Sequence, residues 1–192
     1  HRIKKDIDCY EDKSTQFDSI LNINGYFPRI EQILSNGDTI YSNYFFFKDG
    51  IYVMDMEFDG NHSRNLSNYT QNIANNDKKQ GGRAVNHGLY KVINDTIKVQ
   101  YIFLGTAGTR GAGEIWFKII DKNSIKAIYG KNLGEGKYNK GGFIKAENKY
   151  VLNFIKASEK PLYSNSWLKK KRWFWCNKQD WKAYKRRQKE NK

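Results

Sequence analysis

The chain has 192 residues, a formal net charge of +14, 15% aromatic and 39% hydrophobic residues, and two prolines. That length suits one domain that buries a core without staples. The Pro-poor, aromatic-rich composition excludes a disordered or collagen-like chain and favours strands, and no window approaches the run of about 18 apolar residues that a membrane-spanning helix needs.

No signal peptide opens the chain, and a start at His1 rather than Met is what a trimmed product would have. Residues His1 to Gln16 are polar with mixed charge and read as a segment that frays or lies along the surface. Phe17 to Phe27 predicts a first strand bent or bulged at Gly25. Pro28 has no N–H to donate and confines that strand to an edge. Ile40–Phe47 and Ile51–Phe58 flank Lys48-Asp49-Gly50, a strong hairpin signal. On its second arm Tyr52, Met54, Met56 and Phe58 take the inward phase, against Val53, Asp55 and Glu57. Phe45-Phe46-Phe47 is apolar on both faces, one of them open to cover by an aromatic tail.

From Asp59 to Arg83 a long Asn-rich loop follows, a candidate rim of a binding site. Its sequons at Asn61, Asn65 and Asn68, with a fourth at Asn94, would accept glycans in a eukaryotic secreted protein, but abundant Asn accounts for them as chance matches. Gly88 to Phe103 reads as a hairpin about Asn94-Asp95, two residues that tolerate positive φ. Asn36-Gly37-Asp38-Thr39-Ile40 and Asp121-Lys122-Asn123-Ser124-Ile125 repeat the same grammar, a polar turn followed by Ser or Thr and Ile, and three such units indicate a meandering antiparallel sheet.

The glycine-rich stretch Gly105 to Gly113 is not a phosphate loop, because a strand from Glu114 to Ile120 follows it where a helix would be needed. It reads as a hairpin loop in which Arg110 offers a cation to an anion. Ile115, Phe117 and Ile119 alternate with Glu114, Trp116 and Lys118, and Ile125, Ala127 and Tyr129 continue the apolar phase beyond the next turn. Lys131–Gly142 is a second Gly-rich loop, and Tyr150–Ile155 supplies a last strand.

The tail from Ser164 differs in kind. Residues 166–192 hold eleven Lys and Arg against Asp180 and Glu190, interleaved with Trp167, Trp173, Phe174, Trp175, Trp181 and Tyr184. Asp180 would cap a short helix through about Glu190 that places Trp181 and Tyr184 on one face. Basic residues among aromatics suit stacking on single-stranded nucleic acid or a membrane interface. The favoured reading packs the tryptophans on the sheet and leaves the lysines in water, since Trp173 and Trp175 alternate with Lys and Arg as packed strand residues do. Cys9 and Cys176 have neither CxxC spacing nor a neighbouring His, so they either bridge the chain's two ends in an oxidising compartment or stand as two free buried thiols.

Ile23-Asn24-Gly25-Tyr26, Phe45-Phe46-Phe47-Lys48-Asp49-Gly50, Gly88-Leu89-Tyr90-Lys91-Val92, Asp95-Thr96-Ile97-Lys98-Val99 and Ile119-Ile120-Asp121-Lys122-Asn123-Ser124-Ile125 carry a resemblance. Residues 20–156 resemble exported bacterial proteins of the Bacteroidetes type with a lipocalin-like or calycin barrel. The resemblance implies an up-and-down barrel with a C-terminal helix, export behind a signal sequence, and often a lipid anchor. The protein would then be periplasmic, anchored at the outer membrane or secreted. The neighbours of Cys9 do not form a lipobox, so any anchor cysteine lies before His1.

The expected fold is all-β: a single domain over 1–192, with an antiparallel up-and-down barrel of about eight to ten strands across 17–156 and the basic aromatic segment 164–192 outside it. If the lumen is open, Tyr52, Met54, Met56, Tyr101, Phe117 and Tyr129 would line it and hold a small hydrophobic ligand without chemistry; otherwise they fill it. The alternative is a polyanion-binding or protein-interaction module acting through Lys169, Lys170, Lys171, Arg172, Lys185, Arg186 and Arg187. Salt separates the two, because phosphate-driven binding weakens steeply with it. Contact with an anionic membrane is expected ahead of nucleic acid. Neither cofactor nor metal is expected. The internal histidines His62 and His87 have no nucleophile at motif spacing, so no catalytic pair is assigned and no enzyme activity is expected.

Overall fold

The computed structural model describes residues 7–11, 16–33, 35, 39–58, 86–104, 110–133, 150–157 and 166–190. Nine strands follow in chain order: β1 (Gly25–Ile33), β2 (Thr39–Phe46), β3 (Ile51–Phe58), β4 (Asn86–Ile93), β5 (Thr96–Leu104), β6 (Arg110–Asp121), β7 (Ser124–Leu133), β8 (Val151–Asn153) and β9 (Ile155–Lys156). From β1 to β8 each pairs antiparallel with the next, and β9 pairs with β1. Because β8 and β9 are two halves of one run broken at Phe154, the sheet comes round into a nearly closed up-and-down barrel, as the alternation predicts. Closure matters because an open sheet would leave two rows of unpaired backbone groups.

Three tight turns gather at one end. Gly50 adopts φ +83° and Asn94 φ 56°, the left-handed conformations that hairpin turns require. At the third turn the Asp121 carboxylate accepts the Asn123 N–H at 2.6 Å and the Ser124 hydroxyl at 2.6 Å. This end is plugged. Where a first strand was expected from Phe17, residues Gln16–Ser19 form a 3-10 turn, and β1 begins only at Gly25. The Leu21 N–H donates back to the Phe17 carbonyl at 3.0 Å, and the turn so closed drops both side chains into the barrel. The Asn22 N–H donates to the Lys122 carbonyl at 2.8 Å, and Lys48 pairs with Asp18 at 2.6 Å, which fixes the plug to the turns.

Two apolar clusters lie on opposite faces of the sheet. The inner one includes Phe17, Phe27, Phe46, Ile97, Val99 and Phe117. The outer one includes Phe45, Phe47, Ile51 and Val53 together with Tyr10, Phe174, Trp175 and Tyr184. The three consecutive phenylalanines thus serve both: Phe46 points in, while Phe45 and Phe47 are covered by the two chain ends. The N-terminal segment does not fray at residues 7–10, since Ile7 and Tyr10 are buried. Cys9 and Cys176 form a disulfide, which decides between the two cysteine readings.

The tail packs as expected but not as a strand. Arg172–Phe174 is a 3-10 turn, and Trp175 makes a single parallel bridge with Tyr10. Helix α1 (Lys178–Glu190) begins two residues before Asp180, and the Asn177 carboxamide accepts the Gln179 N–H at 2.7 Å, so Asn177 rather than Asp180 is the cap. On the outer face of β5 and β6 the Glu114 carboxylate, 5% exposed, accepts from Gln100 and Trp116 at 2.8 Å each and pairs with Lys98 at 3.3 Å and Lys131 at 3.6 Å.

Candidate ligand-binding site

The inner face changes character along the barrel axis. Next to the plug it is packed with phenylalanine and aliphatic side chains; towards the opposite end tyrosines and an ion pair replace them. Tyr44, Tyr52 and Tyr101 arrive from β2, β3 and β5 on the inward phase, with ring centroids 6.1 Å apart for Tyr44–Tyr52 and for Tyr52–Tyr101. Tyr101 needs the missing side chain of Gly113 beneath it, where a Cβ would come within 2.7 Å of the ring. Phe103 likewise lies over Gly111.

Strand β1 contributes Arg29 in the phase of Phe27, opposite Ser42 on β2. The β1–β2 register slips between Ile30 and Gln32, and the Glu31 carboxylate meets the Arg29 guanidinium at 3.2 Å. Arg29 also lies over the Tyr150 ring, 4.1 Å from its centroid. Side-chain exposures of 22% for Arg29 and 23% for Glu31 leave the pair partly desolvated. Burial opposes the guanidinium charge, but Tyr44, Tyr150 and Glu31 more than offset it and raise Arg29 above its usual range. Burial, with Tyr44 and Tyr101 adding to it, pushes the Tyr52 hydroxyl well above the ordinary phenol range. Burial raises Tyr44, Tyr101 and Tyr150 too, so these groups stay neutral and able to donate.

Backbone pairing around the barrel is interrupted here. Gly25 and Tyr26 of β1 pair with Lys156 and Ile155, and then the chain departs at Phe154 to pair with β7 instead. No registered partner lies on that side of β1 from Phe27 onward among the described residues, which agrees with the edge position expected of Pro28. A cavity of about 670 Å³ occupies this seam and is lined by Arg29, Glu31, Tyr41 and Tyr150 with Ile30 and Val151 at its flank. Arg29 Nε is buried without a hydrogen-bond partner among the described residues, as is the Tyr52 hydroxyl away from the cavity lining, whereas the Tyr150 hydroxyl pairs with Tyr44.

Of the residues expected in the lumen, Tyr52, Met54, Tyr101 and Phe117 share the inner cluster. Phe117 belongs to the filled half, against Phe46 and Tyr44. The Met56 side chain lies outside the described residues. Tyr129 is not in the lumen: it is 40% exposed and faces Trp116 on the outer surface. Trp116 pairs with Tyr129 but Phe117 with Ala127, so Ile128 is an extra residue in β7 that turns every later side chain to the other face.

The basic candidates are also divided. Lys169 is buried, its ammonium on Asp49 and over the Tyr10 ring at 5.2 Å. Arg172 donates to the Trp175 carbonyl at 2.8 Å, while Lys170, Lys171, Lys185, Arg186 and Arg187 are exposed. With Phe174 and Trp175 buried, those rings offer no face for base stacking. The Asn-rich loop with its three sequons, and the side chain of Arg110, lie outside the described residues.

Sequence reasoning missed Arg29, Glu31, Tyr44 and Tyr150. The available signal was charge on the inward phase: Phe27, Arg29 and Glu31 alternate with Pro28 and Ile30, and a charged residue in phase with a core phenylalanine marks a wet interior. In comparisons with family models, curated proteins and solved structures, nothing matches the chain.

Proposed function

We propose that the protein is a non-enzymatic barrel of the bacterial envelope, or a secreted one, that holds a small, largely apolar molecule at the seam beside β1. The observation that carries this reading is the cavity of about 670 Å³ onto which the Arg29–Glu31 pair and Tyr150 face. Ligand pockets of roughly 300–1,000 Å³ with a few convergent polar groups are the usual form of small-molecule sites. Ile30 and Val151, 58% and 52% exposed, supply apolar surface that an occupant would cover. The Cys9–Cys176 bridge supports an oxidising compartment, in line with the resemblance to exported barrels.

Native mass spectrometry of protein taken from its own host tests this, followed by solvent extraction and saturable one-to-one rebinding of an apolar dye. An extractable adduct that displaces the dye is expected. Protein that carries no adduct and takes up no dye saturably would overturn the reading. A second reading, polyanion contact through Lys185, Arg186 and Arg187, draws support from their exposure on α1. A triple change of these residues to Glu separates the two, lowering the salt needed to elute the protein from heparin while leaving dye uptake unchanged.

A further inference from the structure

The seam also restricts the chemistry of the occupant, given the carrier reading above on which this step rests. Among the described residues its lining holds one cation and one anion, Arg29 and Glu31, already paired at 3.2 Å. The site is therefore neutral before anything binds. A carboxylate would have to compete with Glu31 for the guanidinium and would leave one negative charge uncompensated in a partly desolvated place. An ammonium head would set Glu31 against Arg29 in the same way. Unpaired charge in such surroundings is costly.

The unmet donor points to a different complement. Arg29 is a donor only, and its Nε–H has no partner among the described residues. Such a donor, left unpaired, costs the full desolvation of the group, and a carbonyl, ether or hydroxyl oxygen removes that cost without adding charge. The stack of Arg29 on Tyr150 holds the guanidinium at the cavity wall, with the apolar side chains Ile30 and Val151 beyond it.

We infer that the occupant is a neutral amphiphile, with an acceptor-rich uncharged head such as an ester, amide or polyol at Arg29 and an apolar body along the seam. Three probes sharing one chain test the head alone: monodecanoylglycerol, decanoate and decylammonium, each titrated by calorimetry into the full-length protein. The neutral probe is expected to bind tightest, by about tenfold or more over either ion, the effect of one unpaired buried charge.

Glu31→Gln, nearly the same shape, gives the site a net positive charge and is expected to move decanoate to first place. Arg29→Gln gives it a net negative charge and is expected to favour decylammonium. Near-ultraviolet circular dichroism checks that both variants keep their aromatic packing, and the wild-type ranking stands as a test whether or not they do. Decanoate first on the wild type would overturn the neutral head and leave the carrier reading standing. Saturable binding of none of the three would overturn this inference, and absence of native adduct and dye uptake as well would remove the carrier reading beneath it.

Discussion

Removal of the disulfide isolates one contribution to stability. Cys9 and Cys176 are both exposed, so Cys9→Ala with Cys176→Ala changes little of the native packing, and the effect falls mainly on the unfolded chain. Their sequence separation is 167. Chain entropy for a loop of that length gives about 0.6 kcal/mol from the constant part and about 4.5 kcal/mol from the length-dependent part, roughly 5 kcal/mol together. For a domain of this size each kcal/mol moves the midpoint by about 2–4 °C, so the double variant should melt about 10–20 °C lower. The folded form should keep its tail in place, because Tyr10 still donates to the Phe174 carbonyl at 2.6 Å and accepts from the Cys176 position at 2.9 Å. Tyr10 also stacks on Phe174 at 5.3 Å and meets Trp175 edge-on at 4.9 Å. Tryptophan emission below the transition should therefore match the wild type, and the denaturant slope should rise as the unfolded chain expands. Calorimetry with denaturant titration reads all three. A midpoint lowered by under about 3 °C would refute the unfolded-state account. A red-shifted native emission would refute the claim that the packing of the tail is independent of the bridge.

Two further changes probe the sheet. Burial works to raise the Glu114 carboxyl, but hydrogen bonds from Gln100 and Trp116 and the charges of Lys98 and Lys131 hold it below its usual value of 4.5. A depressed folded pKa contributes stability above the unfolded value and loses it as pH falls through the folded one. Glu114→Gln should thus be less stable than wild type near neutrality, with the gap narrowing once pH drops below 4.5. Urea titrations from neutral to acidic pH read this, and a gap that widens with acid would contradict it. Gly25→Ala would press a Cβ onto the Ile155 carbonyl oxygen, a backbone atom that cannot turn aside. The β1–β9 pairing should open at a cost of about 2 kcal/mol or more, read as faster hydrogen exchange at Tyr26 and Ile155; unchanged exchange there would show that this contact does not hold the closure.

The barrel was legible because its strands announce themselves locally. Asn94-Asp95, Asp49-Gly50 and Asp121-Lys122-Asn123 each place turn chemistry between alternating runs; pairing runs without a shift through the first two hairpins, while the third shifts twice. What stayed hidden needs knowledge of a partner. Ile128 is an extra residue only when β7 is laid against β6, and nothing in Ile125-Lys126-Ala127-Ile128-Tyr129 taken alone announces the slip that sends Tyr129 outward. Phe17 and Leu21 look like strand residues until the space they plug exists. Lys169 reads as one of four consecutive cations, and only the fold brings Asp49, 120 residues away, to its ammonium.

The candidate site illustrates the same limit from the other side. A strand whose inner phase reads Phe27, Arg29, Glu31 would be a liability in a fully sealed barrel, because the charges would have to be desolvated on all sides. It becomes tolerable only where the wall is open. That opening has a local cause. Gly25 lets β9 approach closely enough to pair, Phe154 packs against Phe27 with centroids 5.5 Å apart, and Pro28 supplies no N–H to continue the ladder. The residues before Phe154 pair with β7 instead. The break in backbone pairing and the placement of the ion pair therefore depend on each other: without the seam Arg29 and Glu31 would be too costly to keep inside. Without the pair, the seam would lose the two charged side chains that its lining holds among the described residues and keep the apolar flank of Ile30 and Val151.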